Sequence, residues 1–398
     1  MPRLPRNPFL RSFVKLFTSL QLTIACLALA MVLIFVGTLA QAQIGIDQAT
    51  EQYFRSFVVW WSPPGASWRI PIMPGGFTIG GVMLVNLIIS HLYRFRLTFC
   101  KAGIWITHFG LIVLLLGELF TALFAEESYM SIQEGQTKTY SESHRRIEVV
   151  LIDQTDGVTD RVLAIDEDGL EPGASYQHPA MPLRLEVVDF FPNSQLFRKT
   201  PETAAFAAPA ATRGAGANLT AREIPRTGRQ DMRDISVAWI RVVGTDGEIG
   251  TWMVSNLFLD PRFNGEPQIF EHDGHTYRIE LRQKRTYHPF AITLLDFAHD
   301  RYPGTNIPKN FSSHIRLVDP ELNQDREVLI YMNHPLRHRG LTFYQHSFEA
   351  GDKGTVLQVV RNPSRHLPYI SCALVFFGMT LQFVLHLDGF FRRRRSAA

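Results

Sequence analysis

Cysteine is scarce: the 398 residues contain three, Cys26, Cys100 and Cys372. None lies between 125 and 366, so that long polar stretch has no disulfide framework, zinc cluster or C-x-x-C redox pair. The C-x-x-C-H pattern is missing from the whole chain, and so are a P-loop, a dinucleotide fingerprint and a nucleophile elbow. Nothing therefore points to ATP use or hydrolysis. Net charge is only +3, too little for a general nucleic-acid binder. No internal repeat or broken apolar segment marks a small-solute transporter.

Charge is also missing from four long runs: Leu16 to Ile46, Ile70 to Tyr93, Ala102 to Gly117, and His366 to Leu387. A helix needs about 20 mostly apolar residues to cross the hydrocarbon core. The runs predict spans near 18–40, 76–93, 103–124 and 367–387, the third with Glu118 towards a membrane face. Ala40-Gln41-Ala42 looks like a signal-peptidase site, but the apolar run before it is longer than a signal peptide's, so an uncleaved helix is expected. The mean hydropathy of −0.01 hides this, because the apolar residues are concentrated in the four runs.

Basic residues orient the spans. Arg3, Arg6, Arg11 and Lys15 precede the first; Arg94, Arg96 and Lys101 lie between the second and third; Arg392 to Arg395 follow the fourth. These regions hold one acid, Asp388, which leaves the rest of the chain net acidic. Both termini (1–17 and 388–398) are expected in the cytoplasm, or in the stroma of a plastid. The loop 41–75 and the stretch 125–366 are expected outside.

Residues 125–366 read as β-structure. Arg145–Ile152, Pro182–Val188, Val237–Val243, Gly250–Val254, Tyr277–Arg282, Ser313–Val318, Glu327–Met332, Leu341–Phe348 and Thr355–Val360 alternate or run apolar at strand length. Thr245-Asp246-Gly247, Asp319-Pro320 and Gly351 to Gly354 supply turns. The fold class expected is a membrane protein with three N-terminal transmembrane helices, one C-terminal, and a large all-β sandwich-like extracytoplasmic domain. Residues 192–232, rich in Ala, Pro and Gly, are expected as a flexible insertion.

An ionisable side chain within a span is a functional candidate, because burying it in hydrocarbon is costly. His108 lies seven residues beyond Lys101, about 10 Å into the third span. A neutral imidazole there can serve as an axial ligand to haem iron, or can hydrogen-bond a neighbouring helix; the residues alone leave both readings open. His91 and His386 sit close to the inner charged flanks and are weaker alternates. A haem held by two histidines needs both at nearly one depth, and His91 is shallower than His108 by up to roughly two turns. Glu118 lies about 15 Å along the helix from His108, so the two form no dyad. Trp60, Trp61 and Trp68 read as an interfacial belt, with a porphyrin-facing role as the alternative. His334 and His338 have metal-ligand spacing, but Pro335 and Gly340 make the segment a turn, and no metal triad with His346 is expected.

Taken together, the chain resembles the ResB-like (CcsB) family of cytochrome c biogenesis proteins, System II. The resemblance is carried by Asn7-Pro8-Phe9 with Leu16–Ile24 and Gly37-Thr38-Leu39 in the first span. It continues through Pro74-Gly75-Gly76 with Asn86-Leu87-Ile88 and His91 in the second, and Gly103–Gly117 with His108-Phe109-Gly110 in the third. In the external domain it rests on Asp300–Ser312 and Asn333–Ser347. Three spans, a large external domain and a final span repeat the family's layout.

The resemblance implies a membrane subunit that carries haem outward and presents it to an apocytochrome c outside the membrane. The haem would be non-covalent, b-type and transient. The partners implied are a ResC/CcsA-type membrane protein, the apocytochrome, and proteins that keep its thiols reduced. The place implied is the inner membrane of a bacterium, or a thylakoid. The family's haem-ligating histidine in the third span maps onto His108, with the other axial ligand on the partner. Some members are fused to that partner, whose tryptophan-rich external segment ends in Asp; the Trp60-Trp61 loop lacks that Asp. The chain is thus expected as half of a complex, at most one subunit of a cytochrome c synthetase, with no catalytic residue of its own. The alternative is a membrane-anchored extracytoplasmic binding or sensor protein without haem.

Overall fold

The computed structural model describes residues 7–63, 68–93, 98–203, 206, 208–227, 233–260, 267–304, 308–349 and 353–396. Arg3, Arg6, Arg94 and Arg96, used above for orientation, lie outside the described residues. The chain forms two compact units: 1–126 with 361–398, and 127–227 with 231–360.

The first unit is helical. Helix α1 (Pro8–Phe17) starts on Asn7, whose side chain accepts from the Phe9 N–H at 3.0 Å, with proline at the first helical position. Ser19 caps α2 (Leu20–Ile44), which stops at Gly45, where φ is +83°. A short α3 (Ile46–Ala49) and one π-helical turn lead into an antiparallel hairpin, β1 (Val58–Trp61) and β2 (Ile70–Pro74). Helices α4 (Gly76–Tyr93), α5 (Ala102–Phe124) and α6 (Leu367–Ser396) complete the unit.

Helices α2, α4, α5 and α6 are each long and apolar enough to cross a bilayer. In hydrocarbon a backbone must satisfy its own hydrogen bonds, which the helix does. The second and third expected spans coincide with α4 and α5 almost to the residue. The first runs a few residues further, and the last crossing helix extends to Phe391.

α5 and α6 meet through a seam of small residues. Gly103, Gly110 and Gly117, seven apart, are all buried. A Cβ on Gly103 would stand 2.4 Å from the Gly378 carbonyl oxygen, and one on Gly110 2.9 Å from Val375. The Ser371 hydroxyl donates to the Gly110 carbonyl at 2.8 Å. Such close backbone approach, sealed by a hydroxyl, is how helices adhere where the solvent is as apolar as the side chains.

The second unit is β-structure. Its strands are β3 (Glu126–Gln133), β4 (Thr137–Asp153), β5 (Arg161–Asp166), β6 (Ser175–Gln177), β7 (Arg184–Phe191), β8 (Ser194–Arg198), β9 (Leu219–Glu223), β10 (Val237–Gly244) and β11 (Gly247–Ser255), followed by β12 (Gln268–His272), β13 (His275–Arg301), β14 (Pro308–Asp319), β15 (Gln324–Tyr331), β16 (Leu336–His338), β17 (Leu341–Phe348) and β18 (Gly354–Arg361).

The ten-stranded sheet runs β15-β14-β13-β4-β3-β18-β17-β16, with β12 beside β13 and β5 beside β4. It is barrel-like and nearly closed, where a sandwich was expected. Its curvature has a local cause: β13 is 27 residues long and its pairing with β4 slips between Gln283 and Arg285 and again between Tyr287 and Ile292. Such a bulge bends a strand. The second half of β13 then helps enclose a core of Phe290, Ile292, Leu294, Phe343 and Leu357. The first half shares a different core with a four-stranded sheet, β11-β10-β7-β6, built on Leu151, Leu185, Ile240, Trp252 and Tyr277.

Residues 192–232, expected as an insertion, contain the β8–β9 hairpin. Ala211 and Ala221 from this stretch pack with Val237, Trp239 and Met253 on the outer face of the four-stranded sheet. The Thr212 N–H donates to the Thr251 carbonyl at 2.9 Å, which occupies part of the β11 edge.

Candidate functional site: a histidine pair among the membrane helices

His91 and His108 come together. Their ring centroids are 6.5 Å apart with planes 29° from parallel, and Trp105 meets His91 edge-on at 3.7 Å. His91 is only 6% exposed, which is deep burial for an imidazole. Counted along the backbones, His91 lies two residues inside the end of α4 and His108 six inside the start of α5. That difference of about 6 Å is what made a pair unfavoured from sequence. The side chains close it. Cα–Cβ bonds tilt towards a helix N-terminus. α4 ends and α5 begins around the same connection, so His91 leans back along α4 while His108 leans back along α5.

The His108 tautomer follows from its neighbour. Nδ1 lies 2.8 Å from the Ile104 carbonyl oxygen, an acceptor only, so Nδ1 carries a proton, and in the neutral ring Nε2 holds the lone pair. An Nδ1–H held by a carbonyl is the usual way a ligating imidazole is oriented. Two imidazoles among apolar helices are a donor set that, when neutral, fits a haem iron.

His386 stands elsewhere. It is exposed on α6, and its Nε2 accepts from the Gln382 amide at 3.2 Å. Gln382 accepts in turn from the Ile104 N–H at 3.2 Å, in the first turn of α5. Glu118 is exposed on α5. The tryptophans of the loop 41–75 sit on and beside the β1–β2 hairpin. An open cleft of about 290 Å³ is lined by Gln52, Ser56, Trp60, Trp61, Ser62 and Arg69, with the Arg69 guanidinium 5.1 Å above the Trp60 ring.

In the β-domain the histidines of 331–348 separate. His334 stacks on Tyr331 at 4.4 Å, and the exposed His346 meets Tyr129 edge-on at 5.0 Å. His338 is buried and donates from Nε2 to Asp319 at 2.7 Å. Arg339 makes a two-pronged bond to the same carboxylate, Nε at 2.5 Å and Nη2 at 2.8 Å. The guanidinium beside Asp319 holds its carboxyl well below the usual carboxylate range. Sequence reasoning missed this cluster, because Asp319 lies on another hairpin, 19 residues from His338. Among the described residues, no group of three or more His, Cys, Asp or Glu is placed to hold a metal ion.

Residues 249–356 match the ResB-like family, from within β11 to within β18. The match covers about a quarter of the chain and includes both blocks of the β-domain, Asp300–Ser312 and Asn333–Ser347, on which the resemblance rests. Protein NrfI of Wolinella succinogenes is 37% identical over 91 residues, 23% of this chain and 10% of NrfI. The cytochrome c biogenesis protein CcsB of Synechococcus sp. (strain CC9605) is 40% identical over 90 residues, 23% of this chain and 20% of CcsB. The alignments thus span a tenth and a fifth of these relatives. With four helices long and apolar enough to cross a bilayer, the chain is a membrane protein.

Proposed function

We propose that this ResB-like protein is a membrane subunit of a cytochrome c assembly system that carries haem and presents it for attachment to an apocytochrome c outside the membrane. The observation that carries the reading is the apposition of His91 and His108 in a chain whose relatives include a cytochrome c biogenesis protein. Haem in this scheme is cargo. Its iron would be held by His108 through Nε2, with His91 or a histidine of a CcsA-type partner opposite. Trp105 and the apolar faces of α4 and α5 would limit access of water to it. The β-domain would face the apocytochrome and the partner's external side. The basic flanks support a topology with both termini in the cytoplasm and the β-domain in the periplasm. The chain itself would contribute no general acid or base.

The test is the visible spectrum of the protein purified in mild detergent with its partner co-expressed. Wild type should give a reduced b-type haem spectrum, weakened in His108→Ala and in His91→Ala and retained in His386→Ala. A spectrum unchanged in both of the first two variants would remove the pair as the haem site. Absence of pigment in every preparation would replace the reading by a scaffold role.

A further inference from the structure

The ten residues of α1 precede the first crossing helix and sit outside the function proposed above. Phe9, Phe13 and Leu16 recur at i, i+4 and i+7, so they share one face. All three are exposed, at 79, 38 and 56%. Arg11 and Lys15, four apart, lie on the opposite side and are also exposed. Val14 is the one buried residue of the helix. An apolar face left uncovered in a charged, capped helix needs an occupant.

The junction to α2 fixes how α1 leaves the bundle. The Asn86 amide of α4 donates to the Phe17 carbonyl at 2.8 Å and to the Ser19 carbonyl at 3.3 Å. The Thr18 hydroxyl donates to the Val14 carbonyl at 2.8 Å. The chain is therefore broken at 17–19, with the freed carbonyls satisfied by a neighbouring helix. Beyond the break, Leu20, Ile24 and Leu27 continue an exposed apolar surface along α2, at 60, 58 and 48%. In a bilayer that surface would meet lipid, and the uncovered face of α1 adjoins it in the chain.

We infer that α1 is an in-plane membrane helix. Its Phe9–Phe13–Leu16 face lies among the acyl chains at the bilayer surface where α2 begins, and Arg11 and Lys15 engage anionic phosphate headgroups. Apolar burial with a basic polar face is the signature of interfacial helices. Juxtamembrane basic residues are attracted to anionic lipid over about a Debye length.

The full chain is tested in vesicles, with its three cysteines replaced by alanine and spin labels placed singly at positions 9 to 16. Labels at 9, 13 and 16 should collide with oxygen several-fold more than with a water-soluble nickel chelate. Labels at 11, 12 and 15 should show the reverse. Replacing anionic by zwitterionic phospholipid should shift the label at 13 towards water, and Arg11→Gln with Lys15→Gln should abolish that shift. Equal nickel access at all positions would show a helix in water and overturn the inference. Protection from both reagents on the Phe9 face would show protein cover and overturn it equally. Depth independent of lipid charge would overturn the headgroup pairing.

Discussion

Asp319 ends β14, His338 ends β16, and a 2.7 Å hydrogen bond joins their side chains in the interior of the β-domain. Arg339 closes the cluster from a left-handed backbone, φ +46°, followed by Gly340 at +80°. A non-glycine residue pays for that conformation. Here the two-pronged bond to Asp319 offsets the cost, so two hairpin turns from different strand pairs are pinned to one carboxylate.

Acid should release this pin. The folded-state pKa of Asp319 is depressed, so its contribution to stability is complete above the unfolded-state value, near 4, and is lost as pH falls below it. Denaturant unfolding of wild type and Asp319→Asn between pH 7 and 3 checks this. The variant should be less stable at pH 7, with the difference narrowing below pH 4. Parallel curves throughout would show that the carboxylate's charge is not what holds the turns.

His288 should act in a different window. Its Nε2 bonds the buried Ser141 hydroxyl at 2.9 Å, and burial pushes the imidazole below its ordinary value. A lowered imidazole costs nothing while both states are neutral. The unfolded chain then takes the proton first, so stability is lost as pH falls from about 6.5 towards the lowered value. His288→Gln should flatten the stability curve between pH 7 and 5, leaving the limb below pH 4 intact. A slope that persists in the variant would assign that window to another group.

Local signals carried much of this architecture, and long-range ones were silent. The uncharged runs located all four crossing helices, and alternation with turn residues located β4, β7, β10, β11, β14, β15 and β17. The barrel-like closure was not legible, because it goes with slips in register along β13, which alternation alone reads as more strand. His108 was legible as an intramembrane imidazole. Its neighbour was not, since backbone rise puts His91 about 6 Å off, and only the opposed tilt of the two side chains brings the rings together. Asp319 with His338 had no pattern to betray it. Residues 192–232 were composed like a linker, yet Ala211 and Ala221 are small enough to pack against the four-stranded sheet.

Asn86 should matter more for the membrane unit than its size implies. It is 4% exposed, donates to two carbonyls at the α1–α2 break and accepts from the Thr23 hydroxyl at 2.8 Å. Interhelical bonds in membranes average about 0.6 kcal/mol, with a maximum near 1.7. Asn86→Leu should cost about 1–2 kcal/mol in detergent unfolding, and Thr23→Val roughly half as much. Equal stability of Asn86→Leu and wild type would mean that water or lipid satisfies the break.

The glycine seam makes an ordered prediction. An alanine at Gly103 meets backbone, the Gly378 oxygen at 2.4 Å and the Gln382 nitrogen at 2.5 Å, which cannot rotate away. At Gly110 the first obstacle is a Val375 methyl at 2.9 Å, next to the carbonyl that accepts from Ser371. At Gly117 it is the Leu367 side chain at 2.9 Å, beside the start of α6, where the helix is freest to yield. Overpacking in a close-fitted contact costs about 1–3 kcal/mol. Thermal unfolding in detergent should therefore rank Gly103→Ala as most destabilising, Gly110→Ala next and Gly117→Ala least, each partly offset by alanine's higher helix propensity. Because the Gln382 side chain accepts from the Ile104 N–H, Gly103→Ala should also loosen the helical turn that carries Trp105 and His108. A ranking in the opposite order would mean that α5 and α6 pack less closely at Gly103 than at Gly117.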